Sequence, residues 1–264
     1  MKNQAHFVFL GTGGSMGIPV IGCGCPVCTS ESSYNKRLRP SGLITIDGKK
    51  FLLDCGPDFR LQALRSHIDH LDGLLITHTH HDHIAGIDEL RVYYMHSKKT
   101  LPCLMSKATL LDLKQRYPYV FDIENIQAKL TPRLDLHLLE NDFGSVLFQD
   151  IPIRYATYEQ AGMKVNGFRI GNLAYCSDLK TYTDEIFESL KGVDTLILSA
   201  LRFDTSYFHL SIDEAIAFSR KVNARQTWLT HIAHDLDHTR TNEYLPPNIR
   251  MAYDGLEIVF EVIP

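Results

Sequence analysis

The stretch Thr77-His78-Thr79-His80-His81-Asp82-His83 follows the apolar run Leu74-Leu75-Ile76 and precedes a helix-like run from Ile84 to His96. Four imidazoles and one carboxylate crowd the six residues from His78 to His83. Burying that many polar groups without partners would cost the fold heavily, and a cation is a partner that suits them all. Side chains alternate along an extended segment, so His78 and His80 share one side, while Asp82 and His83 open the next helix and can turn back toward them. That spacing serves two adjacent metal ions. His81 falls between the alternating positions and is expected at the surface or behind the ligands. A solvated, tag-like histidine tract belongs at a terminus or in low-complexity sequence, whereas this cluster sits at a strand-to-helix junction.

The 264 residues and 44% hydrophobic content are ample for a sizeable core. No linker, repeat or charge block interrupts the chain, so residues 1–264 read as a single domain. With 27 basic and 31 acidic residues the formal charge is −4, which provides no global attraction for nucleic acid or an anionic membrane. Met1-Lys2-Asn3-Gln4 leads straight into a strand-like segment, Ala5 to Leu10, too short for the apolar region of a signal peptide. No apolar run reaches transmembrane length. The expected compartment is the cytoplasm, where the six cysteines stay reduced and a cluster of them suggests metal before disulfide.

Three of the cysteines are clustered. Cys23-Gly24-Cys25-Pro26-Val27-Cys28 supplies three thiolates in a glycine- and proline-rich turn, a poor place to bury small thiols and a good one for zinc, with a fourth ligand required from elsewhere. The preceding Gly11-Thr12-Gly13-Gly14-Ser15-Met16-Gly17 invites comparison with a dinucleotide fingerprint, but Met16 stands where the third glycine belongs. A loop that lets backbone pass close to something is the better reading.

Asp47-Gly48 favours positive φ and predicts a tight hairpin between strands at Leu43–Ile46 and Lys50–Leu53, the second ending on Asp54. A short helix is expected near Asp58 to Ser66. The helix after the histidines carries Ile87, Leu90 and Tyr94 at core spacing, and another amphipathic helix is expected from Ala108 to Tyr117. Leu134–Leu139 and Val146–Gln149 alternate about a turn at Asn141–Gly144, and a third hairpin pairs Phe168–Ile170 with Leu173–Tyr175 before Ser177-Asp178. Helix and strand then alternate: Asp184–Leu190, Thr195–Leu198, Ile212–Val222 behind the capping box Ser211-x-x-Glu214, and Thr227–Leu229. Hairpins followed by alternating helix and strand predict two sheets packed face to face with helices outside, a mixed α/β (α+β) fold.

The pattern His78-x-His80-x-Asp82-His83 after a strand, with Asp54, Asp178 and His231 each closing another strand, resembles the metallo-β-lactamase superfamily of hydrolases. The Gly11-Thr12-Gly13 loop, the cysteine knuckle and Thr230-His231-Ile232-Ala233-His234 resemble, within it, the bacterial phosphoribosyl cyclic phosphodiesterase family. The resemblance implies a four-layer αββα sandwich with its ligands on loops at one edge of the sheets. It implies His78 and His80 on a first metal, Asp82, His83 and His231 on a second, and Asp178 bridging both. Asp54 would orient a ligand histidine, as carboxylates behind a metal site commonly do. His234 would complete a Cys3His structural zinc site with Cys23, Cys25 and Cys28. Manganese and zinc both accept such imidazole–carboxylate sets. The family also expects a further histidine on the first metal, where this chain reads Ala156-Thr157-Tyr158-Glu159-Gln160. Thr157 stands nearest that place, and the expectation is that Glu159 or water completes the shell or that the first metal binds weakly.

Two adjacent ions that acidify a water and clamp a phosphoryl group suit in-line attack on a phosphodiester. The resemblance offers His209 as the acid that protonates the leaving oxygen, and Arg202 is a candidate for holding substrate phosphate through its planar fork. The expected activity is phosphodiester hydrolysis, opening a small cyclic ribosyl phosphate or related nucleotide. The rivals are an RNA-processing nuclease of the same superfamily, which would want a basic patch or arm that this charge balance does not supply, and a metal-stabilised binding protein without turnover. The expected partner is a small phosphodiester, with neither membrane nor nucleic acid, and a homodimer is left open.

Overall fold

The computed structural model describes residues 3–128 and 131–262; Met1 and Lys2 of the amino-terminal reading lie outside the described residues. In chain order come β1 (Asn3–Gly11), β2 (Ser41–Ile46), β3 (Lys49–Leu53), α1 (Phe59–Arg65), β4 (Gly73–Leu75), α2 (His81–Ile84), α3 (Arg91–Ser97), β5 (Leu101–Ser106) and α4 (Lys107–Arg116). The short helices α5 (Pro118–Phe121) and α6 (Ile123–Gln127) lead to β6 (Leu134–Leu139). The remainder is β7 (Phe143–Phe148), β8 (Ile151–Gln160), β9 (Met163–Ile170), β10 (Leu173–Cys176), α7 (Glu185–Ser189), β11 (Thr195–Ser199), α8 (Ile212–Val222), β12 (Gln226–Thr230), α9 (His238–Tyr244), β13 (Ile249–Met251) and β14 (Glu257–Val262).

Among the described residues the strands form two seven-stranded sheets, ordered β14-β1-β2-β3-β4-β5-β6 and β13-β12-β11-β10-β9-β8-β7. Each has an antiparallel part, joined largely by hairpins, and a parallel part. Parallel strands covered on both faces read as unbroken apolar runs, which explains Leu74-Leu75-Ile76 and Thr195–Ser199. Leu75 and Ile197 face the layer between the sheets, with Phe7, Phe51, Phe168 and Tyr175. Leu74 and Ile76 face outward against Phe59 of α1 and Leu110 and Leu113 of α4. Leu196 and Leu198 face outward against Ile186 of α7 and Ile212, Ala215 and Phe218 of α8. These three apolar clusters separate four layers, helix, sheet, sheet and helix, as the pattern predicts. Among the described residues no helix is long and apolar enough to cross a membrane.

Several local expectations hold: Asp47 and Gly48 make the β2–β3 turn at φ of 50° and 79°, and the Ser211–Glu214 capping box starts α8. Others are corrected. The helix expected from Ile84 to His96 is three pieces, α2, a 3-10 turn at Ile87–Leu90 and α3. The break falls at Gly86, whose missing side chain admits the oxygen of Gly56 only 2.2 Å from where its Cβ would stand. Ile87 and Leu90 are buried, but Tyr94 is only half-buried, beneath the Arg133 guanidinium. Leu134–Leu139 and Val146–Gln149 do not pair: β6 edges one sheet and β7 edges the other. Alternation reports which face of a strand is covered, not which strand lies beside it. The partner of β7 is β8, across a turn whose Gln149 and Asp150 adopt φ of 51° and 68° without a glycine to announce it.

Candidate metal centre

Three strand ends carry the site, and each turns through the same unusual backbone. Asp54 after β3, Asp178 after β10 and His231 after β12 have φ of 59°, 54° and 59°. Non-glycine residues rarely adopt this left-handed region, and such strain persists where surrounding structure compels it, commonly at functional sites. It swings each side chain off its strand toward the segment after β4. That segment is pinned by Asp54, fully buried, whose two oxygens accept from Thr77 N at 2.8 Å, Thr77 Oγ1 at 2.8 Å and His83 Nδ1 at 2.7 Å. Thr77 Oγ1 donates to Asp54 and so accepts at 2.9 Å from His78 Nδ1. One carboxylate therefore assigns the Nδ1 proton to two imidazoles and leaves both Nε2 lone pairs free. On the far side of the segment, the Thr79 hydroxyl donates to Asp112 of α4, which Arg116 also contacts. His81 is exposed.

The predicted ligands converge. Asp178 Oδ2 lies 3.3 Å from both His78 Nε2 and His83 Nε2, and its Oδ1 lies 3.2 Å from His231 Nε2. Asp82 Oδ2 lies 3.2 Å from His231 Nε2, and His80 Nδ1 lies 3.0 Å from His78 Nε2. Potential donors group as His78, His80 and Asp178, as Asp82, His83 and His231, and as Asp178, His209 and His231, with the ligand atoms of each group within 4.8 Å of one another. Asp178 thus stands at the junction of two three-donor sets.

Electrostatics sharpen the picture. Burial, and then His83, lower His78; burial, and then His78, push His80 down to about 4. Burial opposes the charging of His83 and His231 as well, but Asp82, Asp178 and Asp54 raise the first, and Asp178 and Asp82 raise the second. Burial would raise Asp82 and Asp178, yet His83 and His231 hold both carboxyls below the usual range. These donors fit divalent cations on a direct observation: His83 Nε2 is buried and makes no hydrogen bond among the described residues, although two carboxylates lie within 3.5 Å. An ion shared with those carboxylates is the partner it lacks.

The place of the missing histidine is resolved by strand alternation. Along β8, Tyr158 and Gln160 are buried on the face turned to the outer helices while Glu159, on the opposite face, is exposed, so the expectation that Glu159 could complete a metal shell is corrected. Thr157 lies on the same face of β8 as Ile153 and Tyr155, toward the layer between the sheets, and there accepts a hydrogen bond from Asn166. The group at the site is Gln160, 2% exposed, whose Nε2 lies 3.4 Å from Asp178 Oδ2 and 3.0 Å from His209 Nε2. Sequence reading passed over it because an amide is a weak metal signal. His209 stacks on His231 at 4.7 Å, and burial, followed by His231, pushes its pKa down to about 4. Arg202 and His209 line a cavity of about 70 Å³ beside Gly14, Ser15 and Met16, with Arg202 Nε 3.7 Å from Asp235.

The cysteine knuckle stands apart from this centre. His234 Nδ1 lies 3.3, 3.5 and 3.6 Å from the sulfurs of Cys23, Cys25 and Cys28. Tetrahedral zinc with Zn–S of about 2.3 Å and Zn–N of about 2.0–2.1 Å sets sulfur and nitrogen roughly 3.5–3.6 Å apart, so these four groups fit one zinc ion. The Cys28 amide, and then His234, lower the Cys25 thiol to about 6.

The chain matches a model of the beta-lactamase superfamily domain over residues 49–232. It is similar to the crystal structure of a new diphosphatase from the PhnP family, with 34% identity, 99% of each chain covered and a TM-score of 0.91. It is 36% identical over 259 residues to an octanoyltransferase of Porphyromonas gingivalis, covering 96% of this chain but only 51% of that protein, so the chain spans about half its length. It is 22% identical over 282 residues to a ribonuclease Z of Clostridium kluyveri, covering 86% and 88% of the two. With four layers and histidines and aspartates gathered at one sheet edge, the chain belongs to the metallo-β-lactamase superfamily of hydrolases.

Proposed function

We propose that the protein is a metal-dependent phosphodiesterase that opens a small cyclic ribosyl phosphate or a related nucleotide. The observation that carries this reading is Asp178, a donor beside His78 and His80 whose two oxygens also lie 3.3 Å from His83 Nε2 and 3.2 Å from His231 Nε2, with His209 stacked on His231. His78, His80 and Asp178 would hold one ion and Asp82, His83, His231 and Asp178 the other, manganese or zinc by donor type. Such a pair supplies an acidified water and polarises a phosphoryl oxygen. The protein's own part is to fix the two imidazole tautomers through Asp54, to orient the phosphate and to manage one proton. His209, held near pKa 4 by burial and His231, is neutral at neutral pH until the negative charge of a phosphodiester beside it favours the protonated ring. Once protonated it is an acid suited to the leaving oxygen, and Arg202 at the cavity edge is suited to a second anionic group. The net charge of −4 favours a small diester over a long polyanion.

The test is leaving-group dependence. His209→Ala is expected to lower turnover of a ribosyl diester by roughly a hundredfold or more with ion binding intact, and to leave a nitrophenyl diester, whose leaving group needs no proton, nearly unaffected. Equal losses on both would remove the acid role from His209, and no turnover of either by the metal-loaded parent would overturn the phosphodiesterase reading.

A further inference from the structure

The first donor set is short of one group, and Gln160 is placed to supply it. His78, His80 and Asp178 offer three protein ligands, whereas Asp82, His83 and His231 have the Asp178 bridge as a fourth. Gln160 closes β8, and Tyr158, two residues earlier on the same face, donates to Ser177 O at 2.6 Å, anchoring this strand end beside Asp178. The Gln160 amide nitrogen touches Asp178 Oδ2, the oxygen that also faces His78 and His83. Its amide oxygen is buried and makes no hydrogen bond among the described residues. A buried carbonyl oxygen left without a donor is costly, and the last torsion of glutamine is soft enough to present either end of the amide.

We infer that Gln160 is the fourth protein ligand of the first ion, through its amide oxygen, and that this exchange of imidazole for carbonyl weakens the site's preference for Zn²⁺ relative to a hard divalent cation such as Mn²⁺. The inference rests on the two-ion reading above. A neutral oxygen donor suits Mn²⁺ and Mg²⁺, while imidazole favours zinc. The second set, built on two imidazoles with carboxylates, carries no such bias from Gln160.

The experiment is ion titration without substrate. Ion-depleted parent, Gln160→Leu and Gln160→His are titrated with Mn²⁺, free Mn²⁺ being read by its electron paramagnetic resonance, and with Zn²⁺ against a chromophoric chelator. The parent is expected to take two Mn²⁺, the Leu variant to hold one of them at least about tenfold more weakly with the other unchanged, and the His variant to bind Zn²⁺ at that site at least about tenfold more tightly than the parent. A Leu variant with both Mn²⁺ affinities unchanged, or one that loses both ions equally, overturns the inference. If Gln160→Leu does not fold, the Zn²⁺ affinity of Gln160→His decides. A parent that takes up fewer than two Mn²⁺ overturns the two-ion reading itself and is told apart by needing no variant.

Discussion

Asp54→Asn isolates how much of the ion affinity comes from a residue that touches no ion. The two side chains have one shape, but Asp54 accepts three hydrogen bonds, from Thr77 N, Thr77 Oγ1 and His83 Nδ1. Asparagine replaces one accepting oxygen by a donor. If its oxygen stays on Thr77 N, the new NH₂ faces Thr77 Oγ1 and His83 Nδ1. The threonine hydroxyl then accepts and donates onward to His78 Nδ1, and His83 Nδ1 must accept too, so both rings move their proton to Nε2, the nitrogen aimed at Asp178. Losing such a support costs about 10- to 100-fold in metal affinity, or roughly 1.4–2.7 kcal/mol, here for each ion. If the amide turns the other way, it meets Thr77 N–H donor to donor, and the unpaired buried groups cost about 1–3 kcal/mol of stability instead. Metal titration and the melting temperature of the ion-free protein read the two branches, and imidazole ¹⁵N shifts report the tautomers. An Asn variant with the parent's affinity for both ions and its melting temperature would refute the claim that Asp54 sets the tautomers.

Further outcomes follow from the geometry. Cys25→Ser is expected to lose zinc and thermal stability together while the ions at Asp178 still bind; elemental analysis with a melting curve checks it. Gly56→Ala would set a Cβ 2.0 Å from Asp82 O, so it is expected to cost about 1–3 kcal/mol and to weaken ion binding through Asp82, read by the same two measurements. With the active-site ions removed, stability is expected to peak near pH 6.5. His78, His80, His209 and His238 have lowered values, so below the unfolded histidine value of about 6.5 the unfolded chain binds more protons and stability falls with pH. His83 and His231 have raised values, so their contribution is full below that point and is lost as pH climbs through the folded values. Melting temperatures that climb steadily to pH 9 would contradict this.

The donor inventory could be written down from the chain because each donor announces itself chemically: histidines crowded after a buried strand, three cysteines in a turn, aspartates where strands stop. The β2–β3 turn and the start of α8 were equally plain, since Asp47-Gly48 and Ser211-x-x-Glu214 act on their immediate neighbours. Gln160 could not be found this way. Nothing within its own segment distinguishes it from Glu159, and only the parity of β8 against β9, together with the left-handed turn at Asp178, sets one in the site and the other in water. The parting of β6 from β7 was hidden for the same reason, as was the break at Gly86, which exists because the loop at Gly56 passes through the space a side chain would fill. Local spacing dictates which way a side chain faces along its own element. Which groups meet across the 95 residues from His83 to Asp178, or the 149 from Asp82 to His231, is decided by sheet order, register and the packing of backbone against backbone.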